Sequence, residues 1–245
     1  MLARKDEWRK HSDRNKTTSN MKIVAIEGLA DKVGKRTTTQ ALSDYFTAFG
    51  LRVEKMSFPN YETPIGRTIQ QWLKGEILAD EKTFELLQAA DKQHAQIMIN
   101  EYERQGVDIL LIEHYVHTEW AYGAFDNDER WLAELTRHMR LPDAVVYLDI
   151  EPEIYMERKG EHGDNDLYED DIERLCYTKN EFECLFEEQA EEITVQKVDA
   201  NQPPLMVKSQ VLVAAGKLYR SFTGNPFEQE GSMVCATTGA LPFLH

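Results

Sequence analysis

The chain has 245 residues, 42% of them hydrophobic, and 28 Lys/Arg against 43 Asp/Glu give it a formal net charge of −15. That length suits one α/β domain with a sizeable core, and an acidity of that size argues against nonspecific binding to DNA or to an anionic membrane. No apolar stretch approaches the length of a membrane span, and the basic segment 1–20 lacks the apolar centre of a signal peptide, so a cytoplasmic location is expected.

Residues 1–20 have little apolar content and are expected to form a mobile extension, with the domain beginning at Met21 or Lys22. Ile23-Val24-Ala25-Ile26 is then an apolar run that stops at a glycine-containing turn ending in Gly34-Lys35. Beyond the turn, apolar residues recur at helical spacing at Leu42, Tyr45, Phe46 and Phe49. Strand, loop and helix in that order suit a phosphate. Glycines let backbone N–H groups close around the oxygens, the helix N-terminus adds partial positive charge, and a lysine reaches the terminal phosphates. The spacing is irregular: Gly28 and Gly34 stand one residue further apart than GxxxxGK requires, and Arg36 occupies the place of the magnesium-binding hydroxyl. Thr37 is the nearest hydroxyl. Taken alone, the loop also reads as a Gly-Lys pair that merely caps a helix.

Leu51-Arg52-Val53-Glu54-Lys55-Met56 alternates as a short strand and runs into a shaped loop, FPNYETPIG, at residues 58–66. Ile65, Ile69, Trp72 and Leu73 give a helical face, and a longer helix is expected from about 80 to 104, with Gln88 and Lys92 four apart on one side. Val107-Asp108-Ile109-Leu110-Leu111-Ile112 reads as a parallel strand covered on both faces; it delivers Glu113, His114 and Tyr115 to its C-terminal end, the edge at which open α/β sheets bind ligands. Glu113 equally reads as a simple cap of the next turn. A helix around 128–140 leads to the strand 144–148, which closes on Asp149. Between 157 and 169 the glycine-rich, highly charged ERKGEHGDNDLYE is expected to be a mobile flap between helical segments. A helix marked by Ile172, Leu175, Cys176, Lys179, Phe182 and Phe186, a last strand at 193–198, Asp199-Ala200-Asn201, a helix to Phe222 and a tail complete the chain. Cys176, Cys184 and Cys235 have no metal-ligand spacing, and the first two, eight apart on one helix, cannot meet. Five strands alternating with helices make a parallel sheet sandwiched between helices, a three-layer α/β sandwich.

In this order the motifs EGLADKVGK, FPNYETPIG, AADK at 89–92, EHYVHTEWAYGA at 113–124, LYE at 167–169 and DAN at 199–201 resemble the thymidylate kinases, P-loop kinases that move the γ-phosphate of ATP to dTMP. The resemblance runs from about residue 22 to 222. It implies ATP and Mg²⁺ as cofactors, a dTMP-like substrate and a homodimer. It also implies roles. Lys35 would reach the transferred phosphate and Asp31 the 3′-hydroxyl of the deoxyribose, while Lys32 would point at the phosphates. Gly28, Gly34, Arg36 and Thr37 complete the ATP loop, with Asp199 and Ala200 where the family holds adenine. Phe58, Pro59 and Tyr61 would shape the substrate pocket, Tyr115, Thr118 and Tyr122 would line its base and sugar side, and Tyr168 would close over it. Glu113 and Thr37 are the candidate magnesium ligands.

The departures from the pattern are as informative. The family's DR(Y/H/F) is Glu113-His114-Tyr115 here, so a permanently charged guanidinium fork is replaced by an imidazole that is mostly neutral at pH 7. Its next arginine is Lys92, the phenylalanine expected to stack on thymine is Gln88, and the arginine of RYE is Leu167. Two readings follow. In one, Arg36, Lys32, Lys35 and Lys92 rebuild the cationic site of a nucleoside monophosphate kinase. In the other, the fold persists as a nucleotide-binding or interaction protein without turnover.

Overall fold

The structure, a computed structural model, describes residues 20–159 and 171–224. The expected N-terminal extension, flap and C-terminal tail fall largely outside these residues, and so does Tyr168. Five strands, β1 (Lys22–Gly28), β2 (Val53–Ser57), β3 (Ile109–Glu113), β4 (Ala144–Asp149) and β5 (Thr194–Asp199), form one sheet in the order β2-β3-β1-β4-β5, and every neighbouring pair is parallel. Eight helices are described: α1 (Lys35–Ala48), α2 (Pro64–Leu73), α3 (Glu81–Arg104), α4 (Val116–Gly123), α5 (Glu129–Thr136), α6 (Pro152–Lys159), α7 (Ile172–Glu188) and α8 (Pro204–Thr223).

The apolar runs explain the layers. Side chains alternate across a strand, so a strand that is apolar at every position feeds two cores at once. Ile23 and Ala25 join one core with Leu110, Ile112, Val145 and Phe182, while Val24 and Ile26 join the other with Leu111, Val146, Leu42, Phe46 and Leu218. The parallel register brings Ile26 opposite Glu113 and Gly28 opposite Leu148. Between β3 and β4 the chain passes from one side of β1 to the other, and the crevice at the C-terminal end of β1 is where this topology binds ligands.

Two local features shape that crevice. Thr63 caps α2 by accepting from the Gly66 N–H, and a Cβ on Gly66 would stand 1.9 Å from the Asn60 carbonyl oxygen, so only glycine allows this turn. Asp91, buried on α3, accepts from the Asn60 N–H at 2.7 Å and the Thr63 hydroxyl at 3.2 Å, which ties the 58–66 loop to the long helix. Helix α4 is absent from the periodicity reading. It is buried almost all round, His117 and Glu119 included, so no polar stripe marks its period.

Candidate active site

The turn after β1 is built by backbone conformation. Lys32 and Gly34 both have positive φ, 63° and 109°, and Gly34 is the cap residue of α1, which begins at Lys35. A Cβ at Gly28 would meet the Val33 side chain at 2.8 Å, so the missing side chain lets the lengthened loop fold down on the strand. Lys35 is buried. Its ammonium donates to the Ala30 carbonyl and lies 3.8 Å from Asp31 Oδ1, held at the mouth of the loop.

Two cavities flank the first turn of α1. The first, of about 400 Å³, has Asp31, Lys35 and Arg36 at one end together with Glu113 and His114 from the end of β3. Phe58, Pro59 and Tyr61 of the shaped loop, Gln88 and Lys92 of α3, and Thr118 and Tyr122 of α4 form its walls. The second, of about 390 Å³, is lined by Lys32, Gly34, Thr37 and Thr38, and on its far side by Arg158, Ala200 and α8 residues. Arg36 and Thr37 therefore serve different cavities. Successive helix positions are about 100° apart, so the change of side falls between Arg36 and Thr37: Lys35 shares the first cavity with Arg36, and Thr38 the second with Thr37.

Three expected site residues sit elsewhere. Tyr115 does not line either cavity: it is fully buried, its hydroxyl donates to the Arg140 carbonyl at 2.7 Å, and its ring stacks on Phe58 at 6.1 Å. It supports the pocket wall from behind. Asp199 accepts from the Asn201 N–H and the Gln202 amide, folding the β5–α8 loop, and leaves Ala200 as the residue facing the second cavity. Gly28 acts through the close packing described above.

Sequence reasoning missed four residues. Glu27, wholly buried beside Gly28, accepts from the Tyr115 N–H at 3.1 Å and from the Thr118 hydroxyl at 2.6 Å, and so pins the β3–α4 junction to the phosphate loop. Burial pushes its carboxyl up to about 7. A carboxylate inside an otherwise apolar strand was the signal for it. Glu119 and Glu85 are buried in the wall of the first cavity, where Lys92 pairs with Glu119. Arg158 donates to the Ala200 and Asn201 carbonyls at 2.6 and 2.7 Å and borders the second cavity; a single arginine on an irregular helix gave no signal.

The charges around the first cavity are arranged unevenly. His114, at φ 56°, has its pKa pulled down to about 4 by burial, with the Lys35 charge adding to it. The neutral ring places Nε2 3.3 Å from Asp31 Oδ1, and that hydrogen bond holds the Asp31 carboxyl well below the usual range, with Lys35 helping. Among the described residues, the Arg36 and Glu113 side chains make no hydrogen bond or ion pair. An unpaired carboxylate at this edge fits magnesium, which takes one or two carboxylates and completes its shell with phosphate oxygens and water. Thr37, on the other cavity, does not join it, and no group of three His, Cys, Asp or Glu among the described residues is placed to hold a metal alone.

Comparison with known proteins agrees with this geometry. A sequence model described as thymidylate kinase matches residues 26–211. The chain is 29% identical over 150 residues to the thymidylate kinase of Plasmodium falciparum (isolate 3D7), covering 60% of this chain and 70% of that protein. It is 30% identical over 144 residues to the Schizosaccharomyces pombe thymidylate kinase, covering 58% and 67%, and 28% identical over 190 residues to the probable thymidylate kinase of Archaeoglobus fulgidus, covering 77% and 92%. In fold it is similar to the solved thymidylate kinase of Candida albicans, with a TM-score of 0.63 at 18% identity over 83% of this chain and 94% of that one. With a family match over most of its length and a parallel sheet presenting a lysine-tipped loop at its crevice, the chain belongs to the thymidylate kinase family of phosphotransferases.

Proposed function

We propose that the protein transfers the γ-phosphate of ATP to dTMP or a related pyrimidine deoxynucleoside monophosphate. The observation that carries this reading is the pair of similar-sized cavities on either side of the α1 N-terminus, with Lys35 at the boundary. ATP fits the second cavity, its phosphates over the N–H groups of the loop and its base toward Ala200. The monophosphate fits the first, with its sugar near Asp31 and its phosphate toward Arg36. An oxygen of that phosphate attacks Pγ as the bond to the β-bridging oxygen breaks, and Lys35 stabilises the charge that spreads over the equatorial oxygens. Magnesium, when bound beside Glu113, neutralises charge on the donor phosphates.

Arg36 takes over from the arginine that His114 replaces. His114 is neutral and Lys92 is committed to Glu119, so Arg36 is the guanidinium left to grip the acceptor phosphate with a planar fork. Its position in place of a hydroxyl is thereby a relocation of charge.

A homodimer is part of the reading. Leu86, Ile97 and Met98 on α3 are 50%, 64% and 43% exposed, and large apolar side chains left in solvent on this helix support packing against a second copy, to be checked by light scattering. No described helix is long and apolar enough to cross a membrane, and the acidic surface supports a cytoplasmic protein that does not bind nucleic acid. The test of the whole reading is a coupled ADP-release assay across a panel of nucleoside monophosphates. Turnover above a Lys35→Ala control supports it, and turnover equal to that control for every acceptor overturns it.

A further inference from the structure

Helix α8 is apolar over more of its surface than the sheet covers. Val211, Ala215 and Leu218 enter the core with Leu42 and Phe46 of α1, and Val207 and Lys208 line the second cavity. Leu205, Met206, Leu212 and Val213 belong to neither; all four are exposed, Leu205 to 76%. With Ser209 between them they stand at positions i, i+1, i+4, i+7 and i+8, which is one stripe along the outer face of the helix. A surface helix ordinarily turns charged and polar groups to water on that side, and this stripe has no charge. The charges come at its end: Lys217 and Arg220 are exposed on the same side, so that from Gly224 backwards the face passes from cationic to apolar.

The chain that follows has the complementary order. Gly224 ends α8 in the left-handed region, φ 68°, with its N–H on the Arg220 carbonyl at 2.9 Å, and Asn225-Pro226 cannot prolong the helix, so the chain leaves the axis there. Glu228 and Glu230 come first. Residues 231–245 then contain no Asp, Glu, Lys or Arg, in a chain that is 29% charged, and they carry Met233, Val234, Leu241, Phe243 and Leu244. The lengths agree. Along the helix Val213 is about 16 Å and Leu205 about 28 Å from Gly224. An extended chain covers about 3.3 Å per residue, so Met233 reaches up to about 30 Å and Leu241 further still.

We propose that residues 225–245 turn back along α8 and cover its outer apolar face, with Glu228 and Glu230 beside Lys217 and Arg220 and the uncharged residues beyond them on Leu205, Met206, Leu212 and Val213. The basic segment 1–20 is a poorer match for an uncharged stripe flanked by cations. A second copy packed on α3 leaves this face open, because Ala95 and Ile99 set α3 against the other core, across the sheet from α8. A tether this short also holds the segment near its site at about millimolar effective concentration, an advantage that no separate molecule has. The inference does not depend on phosphoryl transfer.

Cys235 lies within the segment and serves as the probe. Its alkylation by iodoacetamide is followed by peptide mass spectrometry in the full-length protein and in a free peptide of residues 231–245. The full chain is expected to react about tenfold more slowly than the peptide, which needs only that the effective concentration exceed the docking constant by that factor. The rate should not change with protein concentration. Leu212→Glu/Val213→Glu, which puts charge on the stripe at exposed positions, should return Cys235 to the peptide's rate. If that protein does not fold, Ser209→Lys, in the middle of the stripe, is read in the same way. Equal rates for wild type and peptide overturn the proposal. A slow rate that neither stripe variant moves overturns it as well, since the segment then packs elsewhere. Protection that appears only as protein concentration rises assigns the face to a second copy, and the return within one chain is then wrong.

Discussion

Lys92 Nζ stands 2.5 Å from Glu119 Oε1, and both side chains are almost wholly out of solvent at 2% and 3% exposure. A lysine in that setting is held in place by its counter-ion. Breaking a buried pair leaves an uncompensated charge, which typically costs 3–5 kcal/mol, whereas replacing both partners with apolar groups is often close to neutral. Lys92→Met is therefore expected to destabilise the protein by about 3 kcal/mol, and the double variant Lys92→Met/Glu119→Met to recover most of it, as read from urea unfolding. A single variant within about 1 kcal/mol of wild type would return Lys92 to the phosphate-binding role that the family motif implies.

Arg158 and Arg36 belong to different cavities, so their loss should fall on different substrates. Arg158 holds the Ala200 and Asn201 carbonyls, and Arg158→Ala is expected to raise KM for ATP several-fold while leaving KM for the monophosphate unchanged. Steady-state kinetics with each substrate varied in turn checks this. A shift in the monophosphate KM alone would place the arginine on the wrong side of the loop.

The parts of this molecule that were legible in the sequence are the ones set by local pattern. Val24 and Ile26 with Ile23 and Ala25 announce a strand buried on both faces, and Gly34-Lys35 after it announces the loop. What was not legible depends on direction or on distant partners. Arg36 and Thr37 are neighbours in sequence but diverge around the helix, so they line different cavities, which their adjacency did not reveal. The positive φ at His114 precedes Tyr115, which lies in the core, while Thr118, a turn later, faces the cavity. Lys92 finds its counter-ion 27 residues away on another helix, and no spacing rule anticipates that.

Glu27 gives a pH dependence with a definite sign. Burial raises its carboxyl from 4.5 to about 7, so the folded state binds a proton that the unfolded chain has released. The stability this group contributes is complete below about pH 4.5 and is lost as pH rises through about 7. At about 1.4 kcal/mol per pH unit, the loss is roughly 3 kcal/mol. Glu27→Gln keeps the neutral hydrogen-bonding shape and should flatten this part of the profile, with a gain in stability relative to wild type at pH 8. Denaturant unfolding at pH 5 and pH 8 measures both. Equal slopes in the two proteins would mean that Glu27 is not the group that titrates.

The remaining question at the acceptor phosphate is which side chain grips it, and Arg36 and His114 make opposite predictions. His114 has a pKa of about 4, set first by burial, so it is neutral from pH 6 to pH 8 and its charge cannot change over that interval. A guanidinium, by contrast, does not titrate in proteins. If Arg36 makes the contact, Arg36→Ala should raise KM for the monophosphate by tenfold to about a hundredfold, the 1.5–3 kcal/mol of a charge-assisted hydrogen bond, with KM for ATP little changed. Arg36→Lys should recover part of it, since charge returns without the fork. His114→Asn should cost less, acting through the position of Asp31. The monophosphate titrates near pH 6 itself, so the informative quantity is the ratio of wild type to His114→Asn, in which that titration cancels. A ratio that is flat from pH 6 to pH 8 agrees with a neutral histidine. A ratio that falls about tenfold per unit over the interval would show that His114 is charged when substrate binds, and the phosphate would then be held by the residue standing in the arginine's place.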